Sequence, residues 1–148
     1  MKLAIGCDHG GLELAQAVRD YLKQRDIPFE DFGTFTKESV DYPLIAVKVA
    51  RAVASGQADL GVLICTTGIG ISIAANKVKG ARASVCTNEE CARMTRKDND
   101  SNILCMGGNV VDAATGLKIL QAYLDTEFEG GRHARRVGQI AQIESGEI

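Results

Sequence analysis

One stretch limits the possible folds more than any other: Leu60-Gly-Val-Leu-Ile-Cys-Thr-Thr-Gly-Ile-Gly-Ile-Ser-Ile-Ala-Ala-Asn-Lys77. Its first six residues are a short apolar run, the pattern of a strand covered on both faces of a parallel sheet. Gly68 and Gly70 then mark a turn, and a small-residue amphipathic segment follows at once. The stretch therefore reads as strand, loop, helix, with Cys65 at the strand's carboxyl end, where open α/β sheets hold ligands. The two glycines let backbone N–H groups turn inward without a Cβ clash, and the first helical turn adds partial positive charge. Helix N-termini favour the thiolate, so a base or nucleophile is expected beside a preformed cradle for negative charge.

The rest of the chain repeats that unit. Residues 2–7 form an apolar strand, which Asp8-His9-Gly10-Gly11 breaks before Leu14, Val18, Tyr21 and Leu22 recur at helical spacing. A second strand is predicted at 29–32. Asp41-Tyr42-Pro43 reads as an N-cap with proline in the first turn of a second helix, whose buried stripe is Ile45, Val49 and Val53. Strands at 81–86 and 102–106 flank a helix at 88–96, Asp112 caps a fifth helix, and a final helix spans 132–144. Such alternation predicts a single α/β domain over residues 1–148, with a parallel sheet covered on both faces. Loops after the first and third strands then share one edge, bringing Asp8, His9, Cys65 and the 66–70 turn together. Asp98 and Asn99 precede the fifth strand and belong at the opposite edge, so they join that site most easily from a partner subunit.

Composition narrows the chemistry. At 148 residues one domain buries roughly 70% of its unfolded surface. A formal charge of -2 argues against nucleic acid or a membrane as the main partner, so an anion must be caught locally. Five cysteines (7, 65, 86, 91 and 105) form an odd set without a C-x-x-C pair. That disfavours a disulfide framework or a zinc site and points to a reducing cytoplasm. The first residues reach charge too soon for a signal peptide, and no run approaches the ~18 apolar residues of a membrane span. A soluble cytoplasmic protein is expected.

Gly68-Ile-Gly-Ile-Ser-Ile73 lacks the third glycine of a dinucleotide fingerprint, and no Gly-Lys-Ser/Thr marks a Walker loop. Free cysteine is usually a small buried hydrophobe. That suits Cys86 and Cys105, whereas Cys65 ends a strand before two threonines and two glycines. Of the two histidines, His9 beside Asp8 is the better ligand contact. Arg132, His133, Arg135 and Arg136 open a helix where the dipole prefers acids. They form either a solvated face partly neutralised by Glu127 and Glu129 or a phosphate clamp, for which arginine forks are suited.

Several of these features coincide: Gly6-Cys-Asp8-His9, Asp41-Tyr42-Pro43, Cys65-x-Thr67-Gly68-Ile-Gly70-x-Ser72 with Asn76-Lys77, Asn99-Asp100 and Glu129-Gly-Gly-Arg132-His133. Together they resemble the ribose-5-phosphate isomerase B and galactose-6-phosphate isomerase family along nearly the whole chain. The resemblance implies a Rossmann-like three-layer sandwich with a five-stranded parallel sheet, a homodimer or dimer of dimers, and no metal or organic cofactor. It implies aldose-ketose isomerisation of a sugar phosphate, by default ribose 5-phosphate, through a cis-enediolate. Cys65 would be the base with Thr67 beside it, and in place of the family's ring-opening histidine either the Asp98 carboxyl or His9 would move that proton. The backbone of Thr66, Thr67, Gly68, Ile69 and Gly70 would form an anion hole. Asp8, His9, Tyr42, Ser72, Asn99 and His133 would contact the substrate, and Arg132 and Arg136 match phosphate-binding positions. Parts of the site would cross a dimer interface, and the final helix would pack on the partner.

Such chemistry moves a proton between adjacent carbons, so it needs one base near neutral pKa and donors aimed at the developing oxyanion. Three positions depart from the family's pattern. Asp98 stands where ribose-phosphate isomerases usually carry a ring-opening histidine, Asn109 where many have a phosphate-binding arginine, and Thr66 where glycine usually follows the cysteine. These departures leave two alternatives: the same mechanism on a hexose 6-phosphate or tetrose 4-phosphate, or a non-catalytic sugar-phosphate-binding subunit.

Overall fold

Strand and helix alternate as the apolar spacing predicts. The computed structural model describes residues 1–148. In chain order these form β1 (Leu3–Cys7), α1 (Leu12–Gln24), β2 (Phe29–Asp31), α2 (Tyr42–Ala54), β3 (Leu60–Cys65), α3 (Ile69–Ala75), β4 (Ala83–Val85), α4 (Glu89–Asn99), β5 (Ile103–Gly107), α5 (Ala113–Leu124) and α6 (Arg132–Ser145). The strands make one parallel sheet in the order β2-β1-β3-β5-β4. β1, β3 and β5 lie inside it and are buried almost throughout, which is why their sequences run apolar rather than alternating. The edge strands β2 and β4 have three residues each, which leaves little unpaired backbone at either edge.

Helices cover both faces. Leu14, Val18, Ala92, Ile119 and Tyr123 bind α1, α4 and α5 to one side, while Ile45, Val49 and Ile71 hold α2 and α3 to the other. No helix is long and apolar enough to cross a membrane. From β1 the chain reaches β2 on one side and β3 on the other, and such a reversal opens a crevice at the strands' carboxyl ends. Register places the site's two ends: Cys65 pairs with Gly107 at the end of β5, while Gly61 pairs with Ile103 at its start.

The extents of α4 and β4 and the capping of α2 differ most from the sequence reading. α4 continues through Asp98 and Asn99, since Arg96 and Lys97 suit the negative end of the helix dipole. Asp100 closes it at φ 46 and is held by Arg82 at 3.3 Å and Arg96 at 3.2 Å. β4 is shorter than 81–86 because side chains replace the ladder around it. The Arg82 N–H donates to Asn102 Oδ1 at 2.7 Å, and Asn76 clamps Ala83 with bonds of 2.8 and 2.9 Å. Asp41 stands at the N-cap of α2 but its side chain caps nothing, whereas Asn88 and Asp112 each accept a backbone N–H at 2.8 Å.

Candidate active site

β3 delivers Cys65 to the crevice, and the turn behind it closes around the sulfur. The Gly68 N–H donates to Cys65 Sγ at 3.1 Å. Only glycine permits this turn, because residue 68 has φ 80 and a Cβ there would fall 2.8 Å from the Met106 carbonyl carbon. The thiol is consequently not at an open rim: Cys65 is 5% exposed.

The expected anion cradle is also altered. The Ile69 N–H donates to Thr67 Oγ1 at 3.1 Å, so neither it nor the Gly68 amide is free for a ligand. Ser72 Oγ donates to the Ile69 carbonyl at 2.6 Å and braces α3 from within. Thr66 Oγ1 lies over Gly10, where a Cβ would come within 2.1 Å, and the Thr66 carbonyl accepts the Asn109 N–H at 3.0 Å. The amides of Gly70 and Ile71 meet no acceptor in the chain. The Thr66 and Thr67 amides meet none either, so free donors flank residues 68 and 69 on both sides, together with the Thr67 hydroxyl.

β1 supplies the facing loop. Asp8 is 5% exposed, and its Oδ1 accepts the Gly10 N–H at 2.8 Å, an Asx turn that shapes the loop. His9 Nδ1 accepts the Val40 N–H at 3.2 Å. Tyr42, at the start of α2, lays its ring on Gly70, where a Cβ would be 2.9 Å from two ring carbons. Asp8, His9, Tyr42, Thr66, Thr67, Gly68, Ile69 and Gly70 thus gather about Cys65. Tyr42, Leu44, Ile69, Ile73 and Val110 leave apolar surface exposed on the elements and loop that meet at this edge.

Asp98, Asn99, Arg132, His133 and Arg136 are not among them. They gather where α4 ends and α6 begins, at the sheet edge opposite Cys65. His133 Nε2 lies 3.5 Å from Asp98 Oδ1, and His133 is buried. Lys97 Nζ pairs with Glu129 at 3.4 Å, and the Glu129 N–H donates to the Lys97 carbonyl at 3.0 Å. Glu129 is thereby committed to Lys97 rather than to the arginines, and Arg132, Arg135 and Arg136 have no ion pair within the chain. Unpaired cations fit a phosphate clamp better than a neutralised face. Donor atoms of Asp98, Glu129 and His133 lie within 4.8 Å of one another, a set of metal-binding type, but Lys97 already occupies the Glu129 carboxylate.

Cys7, Cys86 and Cys105 behave as packing atoms, while Cys91 is exposed on α4. Burial pushes Cys7 up to about 11 and Cys86 up to about 12, and it raises Cys105 as well. Sequence reasoning missed Val40 and Gly10, since one acts through a backbone N–H and the other through having no side chain. Neither property leaves a motif.

A family profile described as Ribose/Galactose Isomerase matches residues 3–140. Ribose-5-phosphate isomerase B of Escherichia coli is 46% identical over 143 residues, 97% of this chain and 96% of that protein. The structure of Clostridium thermocellum ribose-5-phosphate isomerase B superposes with a TM-score of 0.98 at 54% identity, covering 100% of both chains. That of the Mycoplasma genitalium ribose-5-phosphate isomerase B, with bound ribulose 5-phosphate, gives a TM-score of 0.94 at 37% identity, covering 97% of this chain and 96% of that one.

Proposed function

The chain belongs to the ribose/galactose isomerase family, and on that premise we propose that it interconverts ribose 5-phosphate and ribulose 5-phosphate, with Cys65 as the base. One observation carries this assignment of the base: a thiol at the end of a central strand, wrapped by a turn whose amide points at the sulfur. In the open-chain aldose, the Cys65 thiolate takes the proton from C2, the electron pair moves into the C1–C2 bond, and the C1 carbonyl becomes an oxyanion. The Thr67 hydroxyl and the Gly70 and Ile71 amides are the donors for that charge. Cys65 then returns the proton to C1 while the O2 hydroxyl proton passes to O1, leaving the carbonyl at C2. A positioned base of this kind contributes roughly 10²- to 10⁴-fold.

A second copy of the chain completes the site. A two-fold dimer places one surface on its counterpart reciprocally, so the Cys65 edge of each subunit would receive the partner's Arg132 and Arg136 for the phosphate. The same contact would bring in the partner subunit's Asp98 and His133 as the acid pair that opens the furanose ring. Exposed Ile69 and Ile73 on one surface, and Ile140 and Ile143 on α6, supply apolar area for such contacts. Five free thiols support a reducing cytoplasm as the setting.

Asp98 favours one other substrate reading, a six-carbon or four-carbon sugar phosphate handled by the same mechanism. A panel of tetrose, pentose and hexose phosphates tests both, with exchange of the C2 proton into solvent as a second readout. The highest kcat/KM is expected on ribose 5-phosphate. Conversion of none of them, without exchange, would overturn the assignment as an isomerase.

A further inference from the structure

We infer that the backbone amide of Val40 fixes the tautomer of His9 and so makes it a hydrogen-bond donor toward substrate. A neutral imidazole carries one N–H and one bare nitrogen, and which is which follows from the bond one of them makes. Val40 N–H donates to His9 Nδ1 at 3.2 Å. A backbone N–H has no lone pair to offer, so Nδ1 must be the acceptor and the proton resides on Nε2. The opposite tautomer would set two N–H groups against each other. His9 is exposed at the Cys65 edge, so its free Nε2–H is a donor and not a base.

The contact also ties together three loops that no secondary structure joins. Val40 leads through Asp41 into Tyr42, whose ring rests on Gly70 of α3, while Thr66 of the Cys65 turn rests on Gly10 of the His9 loop. His9, Val40, Tyr42, Gly70, Thr66 and Gly10 thus close a ring of contacts around the sulfur, and Val40 is the positioning residue for its histidine.

This inference rests on the isomerase reading only for what His9 touches, so its test has one readout that needs no substrate. In nitrogen-15-labelled, ligand-free protein at neutral pH, the His9 imidazole is expected to show a bare Nδ1 and a protonated Nε2. Replacing the Val40 amide by an ester, which exchanges N–H for oxygen, should remove that single tautomer. It should also raise KM for ribose 5-phosphate roughly 2- to 10-fold, the range for one neutral hydrogen bond, with kcat less affected. The same replacement at Lys37, whose amide meets no acceptor in the chain, should leave both readouts unchanged. A native His9 protonated on Nδ1, or a Val40 ester with unaltered tautomer and KM, overturns the inference. Expected nitrogen shifts in a protein that isomerises no sugar phosphate would instead uphold the role of Val40 and overturn the substrate assignment.

Discussion

Cys65 and Gly68 form the smallest unit on which activity depends. Replacing Cys65 by alanine removes one sulfur from the core cluster and the acceptor of the Gly68 N–H, so kcat should fall by roughly 10²-fold or more while the thermal transition drops only slightly and the fold is kept. Steady-state kinetics beside circular dichroism would check this, and near-normal turnover would remove Cys65 from the mechanism. Gly68→Ala attacks the same site through the backbone. A left-handed conformation costs an L-residue about 1–2 kcal/mol, and the new methyl would press on Met106 at 2.8 Å. A larger fall in Tm than for alanine at 65 is expected, together with lost activity. Asp98→Asn should slow cyclic sugar phosphates more than analogues unable to close a ring. Equal slowing of both would deny Asp98 a part in ring opening.

At the scale of elements, the interior strands and the loop after β4 carry buried thiols with a common response to pH. Cys7 and Cys86 are raised from the ordinary value of 9.0 to about 11 and about 12 by burial. Between those values the unfolded chain ionises at these positions while the folded chain keeps its protons, so the folded state binds more protons and loses stability as pH rises. Denaturant midpoints should hold steady below pH 9 and decline from pH 9 toward 11, and Cys86→Ala should lessen the decline. A flat profile across that window would contradict the account. α6 shows the opposite situation, with Ile140 and Ile143 in water and only His133 buried along fourteen residues. An amphipathic helix with its apolar side bare is marginal by itself, which is the physical ground for expecting a partner there. Ile143→Glu should weaken self-association by about tenfold or more in sedimentation experiments.

For the molecule as a whole, the decisive feature is that one chain holds its base and its unpaired arginines at opposite edges of one sheet. If two copies share each site, mixing a Cys65→Ala chain with an Arg132→Ala/Arg136→Ala chain restores one intact site per hybrid dimer. Random exchange should recover about a quarter of native activity from two inactive parents, whereas sites confined to one chain would recover none. Much of this was legible beforehand. Apolar runs without alternation dictated buried parallel strands, glycines at 68 and 70 dictated a turn, and strand order then forced Asp98 away from Cys65, because these are matters of chain geometry. Tertiary structure alone decided that the turn's Gly68 amide faces the sulfur, that Ser72 braces its own helix, that Glu129 goes to Lys97 and that Val40 orients His9. Each depends on which of several equivalent donors and acceptors comes within about 3 Å, and that choice belongs to packing between distant segments, not to any local pattern of residues.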